Sequence, residues 1–568
     1  MFKQQVNLVD KFTKNTSETT MTIPTNKFLR EGIKQTVSTT DTGNGALKLT
    51  TTGSDFVDQF ANATNYRKPR SFEEISKSME KLWRKSPYFA VCLTIYFRLI
   101  TRTVQFFNRS KTESTQRGQG LKHEGLYRMI WIAVNHPEIF WKNVEIYISA
   151  GSWKDIFQML QFDLMYHGWD GRVLDWDKFA DLIAVGLANE NTSNLIKKYL
   201  PSIVAKSKVT TNEAVAKNMI AKYLASRFFD KNNYEQYRKL KSSGTAHTWQ
   251  QLISKGNFNL DFSKIHGRAL FKLVNSKFIS NRGLEKMYED WLRAQPTAKF
   301  TGYIYELFSK AKSGYKNISL SAHVEETINK QFYRLVEVAK VGMTEGGTKW
   351  IAAVDTSGSM VSLVPGTRIS SYDVAKSMAL FFSYLCEGTF NNAWFEFNNN
   401  SKLKYWNGNT PVQKIQNDTS EAYGSTNFQS ISVEFVRILK TGVPESEFPT
   451  GLVCFSDGCF NNIGQSNISN FNSFIMNLRR GGFSKEFVDN FTIVLWDIPN
   501  SYYGSNSASN KAVFEDFADR KNLIHISGLD GSVLGFLSGK GINKPIPTTS
   551  EELFQTAMEQ EIFKMVTI

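Results

Sequence analysis

Two hydrophobic rhythms divide the chain. From about residue 72 to 340, apolar side chains recur at three- and four-residue intervals, as in Phe89, Val91, Cys92, Ile95, Tyr96 and Leu99, then Leu126, Met129, Ile130 and Ala133, then Phe140, Val144 and Ile148. That spacing lines one face of an α-helix. Breaks at Pro87, Pro137, Gly151, Pro201 and Gly267 are short, so consecutive helices are predicted to pair antiparallel and stack in a row, an α-solenoid, HEAT-like in plan. No repeat period is clean and no strand-like alternation is sustained. Past residue 340 the rhythm changes. Continuous apolar runs at 349–355, 392–397, 450–455, 491–497 and 523–527 predict buried strands, with helices between them at 372–385 and 428–439. This alternation predicts an α/β domain built on a doubly wound sheet.

Neither rhythm is present before residue 55. Ser, Thr, Asn and Gly dominate there, which predicts a flexible arm over residues 1–54, with a turn at Asp41-Thr42-Gly43-Asn44-Gly45 and the first helix cap at Gly53-Ser54-Asp55. The helical-repeat domain then covers 55–340 and the α/β domain 341–548. A terminal helix, 549–568, opens on the capping box Thr549-Ser550-Glu551-Glu552 and runs to about Val566. Packing on the α/β sheet is its expected place, with a return to the solenoid as the alternative.

At 568 residues, 41% hydrophobic and 13% aromatic, the chain has the composition of a globular protein of two to four domains. Its longest apolar runs fall short of the roughly 20 residues that span a bilayer, and Met1-Phe2-Lys3-Gln4-Gln5 lacks the apolar core of a signal peptide. A soluble cytoplasmic protein with no membrane partner is expected, with the virion as the alternative location. Cys92, Cys386, Cys454 and Cys459 have no CxxC spacing and are expected to be reduced core thiols.

Charge sharpens the division. Residues 1–340 hold 51 Lys and Arg against 31 Asp and Glu, a balance of +20, whereas the remainder holds 17 against 22, a balance of −5. A basic half joined to a mildly acidic one points to a polyanion partner for the first, since clustered Lys and Arg release counterions from a phosphate backbone. The candidates at helix ends and loops are Lys197, Lys198, Arg238, Lys239, Lys241, Lys264, His266 and Arg268. Together they trace a plausible RNA path. Arg67-Lys68-Pro69-Arg70 reads as ordinary solvated surface.

The sharpest chemistry lies at the start of the α/β half. Ile351 to Val354 run apolar into Asp355-Thr356-Ser357-Gly358-Ser359, so one carboxylate and two hydroxyls leave a tight loop at the carboxyl end of a buried strand. Open α/β sheets bind their ligands at such ends. Oxygen donors without imidazole or thiolate suit Mg²⁺ or Mn²⁺, the former bound at about 2.0 to 2.1 Å with some waters kept. Two later segments add Thr426, in Gly424-Ser425-Thr426-Asn427-Phe428, and Asp457, in Ser456-Asp457-Gly458.

In this order the three segments match a metal-ion-dependent adhesion site, and the region resembles a von Willebrand factor A domain. The resemblance implies that Ser357, Ser359 and Thr426 touch the ion while Asp355 and Asp457 hold its waters. Five side chains giving three direct ligands leave a position open for water or for an acidic side chain of a partner. A helical half followed by such a domain resembles the Ro ribonucleoprotein family, whose TROVE module is a ring of helical repeats closed by a von Willebrand factor A domain. It looks closer still to a family of plant, giant-virus and phage proteins of the same plan, through Thr42-Gly43-Asn44-Gly45-Ala46, Gly151-Ser152-Trp153-Lys154-Asp155, Lys197-Lys198-Tyr199-Leu200-Pro201-Ser202, Ser425-Thr426-Asn427-Phe428-Gln429 and Phe455-Ser456-Asp457-Gly458. What this implies is RNA, single-stranded or small and structured, held in or on the ring. No positioned base, nucleophile elbow or phosphate-cradling loop accompanies the carboxylates, so a non-catalytic RNA-binding protein is expected. The rival expectation is a viral or phage structural or cargo protein whose metal site docks a neighbour.

Overall fold

Ser71 illustrates how the helical half is encoded. Its side chain accepts from the Glu74 N–H at 3.2 Å while the Glu74 carboxylate accepts from the Ser71 N–H at 2.7 Å, satisfying two of the donors that a helix start leaves open. The helix that follows buries Ile75, Met79 and Leu82 and stops at Ser86, where Pro87 opens the next one.

The computed structural model describes residues 39–41, 47–49, 55–61, 70–99, 121–205, 210–229, 233–244, 252, 256–265, 267–275, 278–300, 302–313, 320–340, 349–364, 369–461, 470–498, 522–527, 529, 554–555, 558–559 and 561–568. Its first described elements are two strands, β1 (Thr39–Asp41) and β2 (Leu47–Leu49), paired antiparallel with Thr39 opposite Leu49. Within the expected arm, residues 39–41 and 47–49 are thus paired strands, while the rest of the predicted turn, Thr42-Gly43-Asn44-Gly45, lies outside the described residues. Alternation at Leu47, Lys48 and Leu49 and the β-branched Thr39 and Thr40 favour this pairing.

The helices of the first half are α1 (Asp55–Ala61), α2 (Phe72–Lys85), α3 (Pro87–Leu99), α4 (Leu121–Asn135), α5 (Pro137–Ala150), α6 (Trp153–His167), α7 (Trp176–Ala188), α8 (Glu190–Tyr199), α9 (Asn212–Phe228), α10 (Tyr234–Ser242), α11 (Gly267–Asn275), α12 (Glu285–Arg293), α13 (Ile304–Ser313) and α14 (Ala322–Lys340). Packing is local in sequence: α3 lies on α4 and α5, α6 on α8 and α9, and α12 and α13 on α14. Among the described residues no helix is long and apolar enough to cross a membrane. All four cysteines are buried and free, as expected.

The second half alternates β3 (Trp350–Asp355), α15 (Ser371–Ser383), β4 (Ala393–Phe397), β5 (Ser401–Tyr405), α16 (Pro411–Gln416), α17 (Gln429–Lys440), β6 (Gly451–Ser456), α18 (Asn470–Gly481), α19 (Lys485–Asn490), β7 (Thr492–Asp497) and β8 (Leu523–Ser527). These strands form one six-stranded sheet in the order β5-β4-β3-β6-β7-β8, parallel except at the β4–β5 edge. Chain order reverses at β3, so a crevice opens between the carboxyl ends of β3 and β6. Alternate residues divide two cores: Ile351, Ala353, Leu452 and Cys454 meet the phenylalanines of α17 and α18, whereas Ala352, Val354, Val453 and Phe455 join a core continuous with the helical half.

Among the described residues, contacts at two places tie the halves together. At one, the Lys312 ammonium of α13 pairs with Asp373 of α15 at 2.6 Å, and the Val412 N–H of α16 donates to the Asn329 Oδ1 of α14 at 3.0 Å. At the other, the terminal segment lies on the first helices. Phe554 packs against Phe56, Phe60 and Phe89, the Tyr88 hydroxyl donates to the Phe563 carbonyl at 3.1 Å, and buried Asn143 both donates to the Thr567 carbonyl (2.6 Å) and accepts from its N–H (2.9 Å). The expectation that this segment packs on the sheet is therefore corrected. Its aromatic residues match the apolar face of α1 and α3, which the neighbouring helices leave open.

Inside the α/β half, Lys376 of α15 is fully buried. Its ammonium lies 3.6 Å from the Trp394 ring centroid and 4.6 Å from that of Trp406, and it pairs with Asp418 at 2.7 Å. Burial, only partly offset by Asp418, lowers its pKa to about 8, below the 10.5 of an ordinary lysine. Between those values the unfolded chain binds more protons, so stability from this site rises as pH climbs from 8 to 10.5. Urea unfolding is expected to show wild type gaining about 2 kcal/mol on Lys376→Met between roughly pH 7.5 and 9.5. A pH-independent difference between the two proteins would refute the assignment.

Candidate metal centre

The loop after β3 is built around its carboxylate. Asp355 is completely buried; its Oδ1 accepts from the Ser357 N–H at 2.9 Å and its Oδ2 from the Ser456 hydroxyl at 2.5 Å. Burial first, and the neighbouring Asp457 carboxylate second, push its carboxyl well above the usual carboxylate range, against the opposing effect of these hydrogen bonds. Asp457 follows β6, is equally buried, and accepts from the Cys459 N–H at 3.1 Å. Two carboxylates are thus buried side by side at the sheet's switch point.

The three loops that carry the remaining candidate donors are tied to one another. Ser357 Oγ lies 3.1 Å from Ser359 Oγ. The Gly358 N–H donates to the Gly424 carbonyl at 3.0 Å, which ties the first loop to the second; the Asn461 N–H donates to the Thr426 carbonyl at 2.9 Å, which ties the second to the third. Gly424 is required: its φ is +81° and an added Cβ would come within 3.0 Å of the Asn399 Oδ1. Thr426 is 1% exposed, yet its Oγ1 has no hydrogen-bond partner among the described residues.

An unpartnered buried hydroxyl costs about 1–3 kcal/mol, and the Asp457 carboxylate beside Asp355 disfavours the charged form of a buried carboxyl. A hard divalent cation relieves both, so Asp355, Ser357, Ser359, Thr426 and Asp457 fit Mg²⁺ or Mn²⁺. Bound there, the ion would supply a positively charged docking point for an anionic oxygen. Among the described residues no group of three or more His, Cys, Asp and Glu could hold a metal; the donor set at this centre is mainly hydroxyl. The sequence reading missed Ser456, Asn399 and Asn461. Ser456 directly precedes Asp457, and Asn399 lies in a run of three asparagines after β4, a polar cluster at the right end of a strand.

The basic candidates fare unevenly. Packing of α8 on α10 brings Lys197 and Lys198 to the helix carrying Arg238, Lys239 and Lys241. Lys198 and Arg238 are exposed, and Lys239 pairs with Glu235 at 2.9 Å. Lys241 has another role: its ammonium donates to the Leu200 carbonyl at the end of α8, and burial lowers its pKa, so it caps a helix. Lys264 and Arg268 lie in helical turns with side chains outside the description, and His266 lies outside the described residues.

Compared with known proteins, the chain matches no family model and no curated protein.

Proposed function

We propose that this is a non-catalytic RNA-binding protein of Ro-like plan, in which an α-solenoid engages RNA phosphates and a von Willebrand factor A-like domain carries a Mg²⁺ or Mn²⁺ site for an acidic partner side chain. The observation that carries the RNA reading is the charge division, +20 before residue 341 and −5 after it. Two further features support the plan. Helices pack on near neighbours in sequence, as stacked pairs do, and contacts at both ends of the helical half, with α15 and α16 at one and the terminal segment at the other, suit closure into a ring. A cytoplasmic location follows from this reading.

Filter binding of oligouridylate across a salt series tests it. Lys198→Gln combined with Arg238→Gln is expected to weaken binding and to flatten the log–log salt slope by roughly 0.7 to 0.9 for each phosphate no longer neutralised. Asp457→Ala is expected to leave the slope alone. A wild-type protein without salt-dependent affinity would sink the RNA reading and favour a particle protein, recognised by its stoichiometric presence in purified particles.

A further inference from the structure

We infer that Asn399 and Asn461 are positioning residues of the metal centre, gripping the Ser425–Thr426 loop from opposite flanks so that the Thr426 hydroxyl alone is left for the cation. This rests on the metal reading above. On one flank the Asn399 Oδ1 accepts from both the Ser425 N–H (2.9 Å) and the Ser425 hydroxyl (2.7 Å), while the Asn427 amide donates to the Asn399 carbonyl at 3.0 Å. On the other, the Asn461 Oδ1 accepts from the Thr426 N–H (3.2 Å), the Asn461 N–H donates to the Thr426 carbonyl (2.9 Å), and the Asn461 Nδ2 donates to the Ser425 hydroxyl (3.0 Å).

This pattern decides which of two adjacent hydroxyls can serve as a ligand. Ser425 Oγ donates to one asparagine and accepts from the other, so it is committed to the loop. Thr426 has both backbone groups bonded to Asn461 and its hydroxyl bonded to nothing among the described residues. The outer partner is itself fixed, since the Asn461 carbonyl accepts from Asn470 at 3.3 Å and Asn470 Oδ1 accepts from Gln429 at 3.0 Å. A donor held in place before the ion arrives needs no ordering at the moment of binding, which is how outer-shell groups raise metal affinity.

The two asparagines work differently, and that difference makes the test specific. Of its side chain, Asn399 uses only the oxygen toward the loop, so Asn399→Asp keeps both accepted bonds and Asn399→Ala loses them, while the bond from Asn427 to the backbone carbonyl is kept in either. Asn399 is exposed, so neither change opens the core. Mn²⁺ affinity is measured by electron paramagnetic resonance of the free ion, with the melting temperature of the metal-free protein recorded separately. Asn399→Ala and Asn461→Ala are each expected to bind Mn²⁺ about tenfold or more weakly, and Asn399→Asp to bind at least as tightly as wild type. Variants that melt earlier but keep wild-type affinity would overturn the inference, as would an Asn399→Asp protein as weak as Asn399→Ala. A wild type that binds no Mn²⁺ would instead remove the metal reading on which the inference stands.

Discussion

Replacing Asp355 by Asn is expected to stabilise the metal-free protein and to abolish the further stabilisation that Mn²⁺ gives the wild type. Asn keeps an acceptor for the Ser357 N–H and nearly the same shape, but removes one of two negative charges buried side by side. Desolvation and mutual repulsion therefore both fall when no ion is present. The same substitution takes away the charge that makes cation binding favourable. At a Mn²⁺ concentration of 100 times Kd, wild type gains about 2.7 kcal/mol, which for a domain of roughly 200 residues raises the melting temperature by about 5–10 °C. Scanning calorimetry with Mn²⁺ and with a chelator separates the two effects. A wild-type transition indifferent to Mn²⁺ would remove the metal site, and a metal-free Asp355→Asn protein melting several degrees lower would show that the carboxylates were not in conflict.

An effect of similar size is expected far from the metal. The Asp155 Oδ2 accepts from the Arg98 Nε at 2.8 Å and from the Ser152 N–H at 2.9 Å, and its side chain is only 3% exposed, against 12% for Arg98. One carboxylate thus neutralises a mostly buried guanidinium from α3 and closes the capping box of α6. Asp155→Ala leaves that guanidinium unpaired and the helix start open, at an expected cost of about 3–5 kcal/mol. Asp155→Asn keeps the acceptor and should lose roughly half as much. Urea midpoints of the three proteins check this ranking; an alanine variant within about 1 kcal/mol of wild type would mean that solvent or another group already balances Arg98.

This joint also shows how the sequence can mislead. Gly151-Ser152-Trp153-Lys154-Asp155 stands out as a motif, and its residues pack: a Cβ on Gly151 would meet the Asp155 carboxylate at 2.2 Å, and one on Gly186 would meet the Trp153 ring at 2.6 Å. Lys197-Lys198-Tyr199-Leu200-Pro201 is partly of the same kind, because the Leu200 and Pro201 carbonyls accept from Lys241 and Tyr237. The long apolar runs predicted β3, β4, β6, β7 and β8 to within about a residue; β3, β6 and β7 are buried at every position, as strands covered on both faces are. The edge strand β5 escaped, since Ser401-Lys402-Leu403-Lys404-Tyr405 is short and carries the lysines that protect an edge. Of the candidate metal centre, the five proposed donors could be picked out because Asp355, Ser357, Ser359 and Asp457 follow strand ends and Thr426 lies in a small-residue loop before a helix. Asn399 and Asn461 could not, because hydrogen bonds 26 to 36 residues long in sequence leave no local pattern.

The contact between Asn143 and Thr567 spans 424 residues. During synthesis, at roughly 5–20 residues per second, α1 and α3 are complete long before the segment that covers them leaves the ribosome. Phe56, Phe60 and Phe89 therefore form an uncovered apolar face for a time on the order of a minute. A face of that kind is what holdase chaperones bind, so the last seam of the fold to close is also the one most exposed to interception while the chain is being made.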